Sequence, residues 1–408
     1  MSAMALVRLR GARLAHLIES DGPGGAERML ASLVTELQGA GAENLVIVPE
    51  RGEGWLAEQL RGTGATMATF HLERPLSPAC ARGIADTLRR HRTALAHSHE
   101  FSMAVYGAWA ARGAGARHLF TMHGSRYYAE RLRRRVAIRA AADLSGAVVA
   151  VSAGLAGDLR RDLWLGARRI SLVPNGAAPP RAANVSFRRE LGLTDRDQLA
   201  LAVGNLYPVK GHVHLVGALG RLAGRFPRLH VAIAGRGDQE AVLRERAEAV
   251  GVSDRLHLVG LRSDIGDLLA AADVYVMPSL SEGLPIALLE AMLAARPIVA
   301  SAVGDIPAAL AEGLAGILTD PGDSASLAEG LAAVLSDGSL ARRLGAAAAG
   351  RAAAEYSLAT MVERYAAIYA ALLPAGATEE SPNPRFADPL LEPEEVVVAE
   401  AAVGRQRH

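Results

Sequence analysis

Three charged residues stand where they could act on an anionic, hydroxyl-bearing ligand. Lys210 lies in Val203-Gly204-Asn205-Leu206-Tyr207-Pro208-Val209-Lys210-Gly211, between an apolar run at 199–203 and a helical pattern starting near His212. A strand-to-helix turn aims backbone N–H groups and a helix N-terminus at an anion. Of the 44 lysines and arginines, Lys210 is the only lysine. Arginine evidently serves wherever a generic positive charge suffices, so the retained lysine points to a site needing a compact point charge. Neutralising a departing diphosphate is such a task, and it outweighs the plainer reading of a solvated surface lysine.

The other two are Glu282 and Glu290, in Pro278-Ser279-Leu280-Ser281-Glu282-Gly283-Leu284-Pro285-Ile286-Ala287-Leu288-Leu289-Glu290-Ala291-Met292. Gly283 permits unusual loop geometry, and Pro285 suits the first turn of a helix. Glu290 then lies roughly 7.5 Å along the helix from Pro285. Two carboxylates at those heights can hold different parts of one elongated ligand through its hydroxyls. A first-turn acid favoured by the helix dipole is the plain alternative for Glu282. Glu290 sits among apolar residues and needs a partner.

Other patterns carry less. Gly235-Arg236-Gly237 lacks the third glycine of a dinucleotide fingerprint, because Glu240 occupies its place. His97, His99 and Glu100 are metal-like in type, but alternating spacing after a strand is common in crevice loops. No metal and no cofactor is assigned. The arginine-rich stretch 131–139 alternates basic and apolar residues at helical spacing. Helix solvation explains it, and docking on an anionic lipid surface is the alternative.

Elements must position these residues. Residues 13–20 read as a buried strand that enters the turn Asp21-Gly22-Pro23-Gly24-Gly25 and then a helix over 26–37. Strand and helix signals keep alternating, with strands at 45–48, 67–70, 94–97, 118–122, 147–151 and 170–173. A second series follows at 199–203, 229–234, 256–259, 274–277, 297–300 and 316–318. Short apolar runs alternating with helices argue for parallel α/β sheets wound by βαβ units. Pro, Gly and Ala crowd residues 174–183, which marks the linker. The expected organisation is a domain over 1–178, a second over 184–355, and a helix over 356–373 crossing between them. The acidic, proline-bearing residues 374–408 form a disordered tail. Two doubly wound halves place ligands at the carboxyl ends of their strands, in the crevice between them.

Composition narrows the field. A 408-residue chain that is half hydrophobic suits two ordinary globular domains. Arg8, Arg10 and Arg13 interrupt the would-be apolar core of a signal peptide. Cys80 is the only cysteine, and a cytoplasmic setting is the expectation. Aromatic residues are only 4%, without a basic-aromatic pattern, which argues against nucleic acid.

With these residues in place, the chain from about residue 13 to 370 resembles the family-4 retaining glycosyltransferases, which have the GT-B architecture of two Rossmann-like domains facing across a cleft. Glu282 and Glu290 match that family's paired glutamates. Gly24-Gly25-Ala26-Glu27, Thr121-Met122-His123-Gly124, Val151-Ser152, Val173-Pro174-Asn175-Gly176, Ala234-Gly235-Arg236-Gly237 and Val303-Gly304-Asp305-Ile306-Pro307 follow in the family's order. The resemblance implies that Lys210 neutralises the donor diphosphate and that Glu290 binds the ribose hydroxyls. It implies that Glu282, helped by backbone N–H groups of Gly283, Leu284, Pro285 and Ile286 as far as each has one, contacts the donor sugar. Gly24 and Gly25 then permit close approach of the diphosphate, and His123 reaches across to the donor. Three positions depart from the pattern: Asn205 replaces a usual arginine at the diphosphate, and Ala295 and Asp305 each replace a usual glycine.

The expected function is transfer of a sugar from a UDP- or GDP-linked donor to a hydroxyl of a glycan or lipid-linked glycan, with retention and without metal. Peripheral contact with the inner membrane surface fits that acceptor class. The alternatives are an epimerase or hydrolase of the same fold, and a nucleotide-sugar-binding protein without transferase activity.

Overall fold

The computed structural model describes residues 2–72, 77–124, 127–181 and 186–374. Residues 375–408 of the expected tail at 374–408, and residues 182–183 of the expected linker, therefore lie outside the described residues. Seven strands make the first sheet: β1 (Arg13–Leu17), β2 (Glu43–Pro49), β3 (Thr66–Phe70), β4 (Leu95–His99), β5 (Arg117–Met122), β6 (Ala147–Ala150) and β7 (Ile170–Leu172). Six make the second: β8 (Gln198–Val203), β9 (Leu229–Ala234), β10 (Leu256–Gly260), β11 (Val274–Met277), β12 (Ile298–Ser301) and β13 (Ile317–Thr319). The orders are β3-β2-β1-β4-β5-β6-β7 and β10-β9-β8-β11-β12-β13, with parallel pairing throughout. The central strands are buried on both faces because helices cover both sides of each sheet, which is why they read as continuous apolar runs.

In each sheet the order reverses beside its first strand, between β1 and β4 and between β8 and β11. Crevices open at the carboxyl ends of the strands at such switch points. Gly24 follows β1, His99 ends β4 and Glu100 follows it, Lys210 follows β8 and Glu282 follows β11. Four of the sequence motifs therefore come from the two places where topology alone puts a ligand.

Local boundaries differ from the sequence reading in instructive ways. β1 ends at Leu17, not residue 20; Ile18 stays buried while Glu19 and Ser20 leave the sheet and are exposed. The helix Glu100–Ala114 begins directly after β4, with no linking loop, and Glu100 takes φ 66° to make the corner. Non-glycine residues rarely adopt that region. Ala295 also has a positive φ, 54°, which accounts physically for a glycine being usual there.

The helix Leu358–Leu372 was expected to cross between the domains. The crossing is made just before it, where Ala177 N–H donates to Tyr356 O at 3.0 Å and Leu358 N–H donates to Ala177 O at 2.8 Å. The helix itself then lies on the first sheet, with Met361, Tyr365 and Tyr369 buried among Leu14, Leu33, Leu119 and Val149. An N-terminal helix, Ser2–Val7, adds Ala5 and Leu6 to the same cluster. No helix among the described residues is long and apolar enough to cross a membrane.

Candidate active site

The turn after β8 and the loop after β11 are stitched together. Leu280 N–H donates to Val209 O at 2.8 Å. Gly211 has φ 64°, and a Cβ there would stand 2.0 Å from Pro278 O, so no other residue fits. This suture brings Lys210 Nζ to 2.7 Å from Glu282 Oε1, and Ser279 Oγ donates to the same oxygen at 2.7 Å. The glutamate side chain is 9% exposed and the lysine 28%. Residues expected to touch phosphate and sugar separately are thus one ion pair. Its Glu282 backbone is held from behind: Gly304, at φ 55°, would place a Cβ 2.0 Å from Glu282 O, and Asp305 N–H donates to Gly283 O at 3.2 Å.

The two halves meet at this loop. A Cβ on Gly283 would lie 3.4 Å from His123 O, and Asn175 Nδ2 donates to Leu284 O at 3.0 Å. Asn175, read only as part of a motif, pins the Glu282 loop to the first half. Glu290 lies half-buried on the helix Ile286–Leu293, whose N-terminus has no side-chain cap. Burial pushes its carboxyl above the usual range, and the charge of Arg28 opposes that shift. Arg28 belongs to the helix Gly25–Gly39 of the first half. A positive charge that favours the Glu290 carboxylate thus comes from the first half.

Gly24 caps that helix without a side-chain hydrogen bond, leaving its first N–H groups free. No protein atom lies within 4 Å of a Cβ built on Gly25. The fold therefore does not itself demand glycine at position 25, and the open space in front of it is available to a ligand. A Cβ on Gly24 would meet Glu27 Oε2 at 2.3 Å, the end of a side chain. Gly24, Asn205, Tyr207 and Arg236 line one cleft cavity of about 420 Å³.

His123 sits at the end of β5. Its Nε2 is 3.0 Å from His99 Nδ1, and its backbone N–H donates to Glu100 Oε1 at 3.2 Å. Burial pushes His123 down to about 4, so the ring is neutral at pH 7. Its buried Nδ1 has no partner among the described residues and can bond a ligand hydroxyl or phosphate oxygen, but the ring brings no charge. Burial, reinforced by Glu19, raises Glu100 to about 7.

The metal-like pair His97 and His99 is joined in space by His16 rather than Glu100, with ring nitrogens within 4.8 Å. Both nitrogens of His97 are occupied, by Tyr369 OH at 2.6 Å and Thr121 Oγ1 at 2.8 Å. His16 Nδ1 and His99 Nε2 are the two ring nitrogens left without a partner among the described residues, and two such nitrogens without a carboxylate make a poor site for a divalent ion.

These buried histidines set a pH dependence. His16, His123 and His212 are lowered to about 4 and His118 to about 3, each by burial, while His97 and His99 are also held well below normal. In each case the unfolded chain binds the proton first, so stability is full above pH 6.5 and falls on acidification through the folded values. Glu100 and Glu290 act oppositely, because their raised carboxyls are protonated first in the folded state; the six histidines outnumber them. The melting temperature should be level from pH 8 to 7 and drop by several degrees by pH 5. A scan showing no drop would contradict these burials.

Comparison with known proteins agrees with this architecture. Residues 23–179 match the family model Glycosyltransferase Family 4, and residues 185–351 match Glycosyl transferases group 1. The alpha-maltose-1-phosphate synthase of Mycobacterium tuberculosis is 32% identical over 310 residues, covering 67% of this chain and 78% of that protein. The alpha-D-kanosaminyltransferase of Streptomyces kanamyceticus is 29% identical, covering 69% and 78%. Among solved structures, Anabaena HepE in complex with UDP superposes with a TM-score of 0.77 at 22% identity, covering 88% of this chain and all of that one. Sucrose-phosphate synthase from Thermosynechococcus elongatus gives 0.74 at 21%, covering 88% and 99%. The fold and cleft are those of a GT-B enzyme, two parallel-sheet domains facing each other. Within that class the chain belongs to the family-4, group 1 glycosyltransferases.

Proposed function

We propose that this glycosyltransferase takes its sugar from a nucleoside-diphosphate donor and transfers it with retention, without a metal, to a hydroxyl of a glycan or lipid-linked glycan. The observation that carries the reading is the Lys210–Glu282 pair, 2.7 Å apart at the carboxyl ends of β8 and β11. Structural neighbours solved with UDP and with UDP-glucose support a nucleotide-sugar donor. The bond from the anomeric carbon to the diphosphate breaks while Lys210 and the free N–H groups at Gly25 and Ile286 stabilise the departing charge. The acceptor hydroxyl attacks from the face being vacated and gives its proton to the leaving phosphate oxygen. Glu282 is committed to Lys210 and Ser279, which fits an orienting role at the sugar better than a covalent one. Glu290 holds the ribose, and His123 Nδ1 donates to or accepts from the donor as a neutral group.

Incubating the protein with UDP- and GDP-sugars in excess chelator, with and without hydroxylated acceptors, tests the reading through nucleotide release. Acceptor-dependent release is expected. Acceptor-independent release would mean hydrolysis, and donor binding without turnover a binding protein. Restoration of activity only by Mg²⁺ or Mn²⁺ would refute the metal-free mechanism.

The acceptor side bears a face suited to anionic lipid. Leu132 and Val136, on one face of the helix Leu132–Leu144, are 71% and 60% exposed beside exposed Arg131 and Arg133. Trp164, 75% exposed, follows the neighbouring helix, and its carbonyl accepts from Arg139 at 3.1 Å. Apolar anchors among arginines match an anionic membrane surface. Co-sedimentation with anionic vesicles but not neutral ones is expected, and equal recovery with both would contradict it.

A further inference from the structure

Lys210, the cation nearest the expected diphosphate, is already paired with Glu282, and Asn205 beside it is uncharged. A nucleoside diphosphate brings more than one negative charge, and neither residue offers it an uncommitted positive one. Among the described residues, one further cation of the second half lines the cavity. The segment Gly235-Arg236-Gly237 after β9 is pressed flat against residues 204–206: a Cβ on Gly235 would lie 2.0 Å from Gly204 O, and one on Gly237 2.3 Å from Leu206 O. Leu206 N–H donates to Arg236 O at 2.8 Å. The two glycines therefore let the backbone of Arg236 lie directly beside Asn205, and its side chain lines the same cavity as Gly24 and Asn205.

The guanidinium is not idle. Its Nη2 donates to Glu53 Oε2 at 2.7 Å, and Glu53 lies 183 positions away, on the opposite wall of the cavity. The two side chains are 53% and 59% exposed. Solvent-exposed pairs of this kind are held weakly and exchange readily for a better anion. Arginine also suits the bidentate geometry of phosphate oxygens.

We propose that Arg236 is a ligand of the donor diphosphate, and that Glu53 is the carboxylate it leaves when the donor enters. The proposal rests on the nucleotide-donor reading and adds a residue and a partner exchange to it. Glu53 keeps the guanidinium over the cavity until the diphosphate replaces it, so the same arginine links the halves before binding and grips the phosphates after.

Calorimetric titration of the full chain with UDP, GDP and the corresponding nucleosides tests this. Arg236→Ala should weaken diphosphate binding at least tenfold and leave nucleoside binding within twofold. Glu53→Gln should leave diphosphate affinity unchanged or raise it a few-fold. Arg51→Ala, another exposed cation of the same cavity, should change it less than threefold. Asn205→Arg introduced into Arg236→Ala should restore most of the loss, since it returns the charge from the adjacent position. Unchanged diphosphate affinity in Arg236→Ala, equal loss of nucleoside binding, or equal loss in Arg51→Ala would each overturn the assignment. Failure of the unsubstituted protein to bind any nucleoside diphosphate would instead overturn the donor reading on which it rests.

Discussion

Replacing Lys210 by alanine should lower turnover by two or more orders of magnitude. One oriented charge at a leaving group is worth about 3 kcal/mol or more, and about 1.4 kcal/mol is a factor of ten. The ion pair adds a second reason. Without Lys210, the Glu282 carboxylate, 9% exposed, keeps only Ser279 as partner and turns its charge toward the entering diphosphate. Lys210→Arg should recover only part of the rate, because the compact ammonium fits a 2.7 Å contact inside a sutured loop and the broader guanidinium does not. The comparison is made by steady-state kinetics on a matched donor, with melting temperature as a control for folding. A fully active arginine variant would refute the argument from the solitary lysine.

The second large effect separates the two glutamates. Glu290→Gln should weaken binding of free nucleoside diphosphate by roughly tenfold to a hundredfold, the worth of about 1.5–3 kcal/mol for hydrogen bonds to a charged group. Glu282→Gln should spare that affinity, or improve it, because it frees Lys210 from its pair while the diphosphate still finds the ammonium. Sugar transfer should nevertheless fall by about a hundredfold, since the group that orients the sugar has lost its charge. Calorimetry with the free nucleotide and initial rates with the donor read the two quantities separately. Equal loss of nucleotide affinity in both variants would show that the two carboxylates do not divide the ligand as described.

Much of this was legible in the chain. Period and length located the thirteen strands, because a strand buried on both faces shows as a short apolar run wherever it falls. The alternation with helices implied switch points, and Lys210 and Glu282 proved to follow strands that flank one. What was not legible is contact across space. The Lys210–Glu282 pair joins residues 72 apart, and the Arg236–Glu53 pair joins the two halves. Arg236 was read inside a failed dinucleotide pattern and one of the family's motifs but given no role, although the glycines on either side already hinted at a backbone pressed against another. His16 carries no local signal for joining His97 and His99, since only the pairing of β1 with β4 aligns them. The carboxyl end of β1 was misplaced because sheet pairing, not propensity, decides it.

The central claim is that this chain transfers a sugar from a nucleotide donor with its anomeric configuration kept. Proton NMR of the reaction, with an α-linked nucleotide sugar and an acceptor that supports turnover, reads the configuration of the first-formed product from its anomeric coupling. An α-linked product is expected, with release of one nucleoside diphosphate per glycoside. A β-linked product would contradict front-face transfer and require the acceptor to attack opposite the diphosphate.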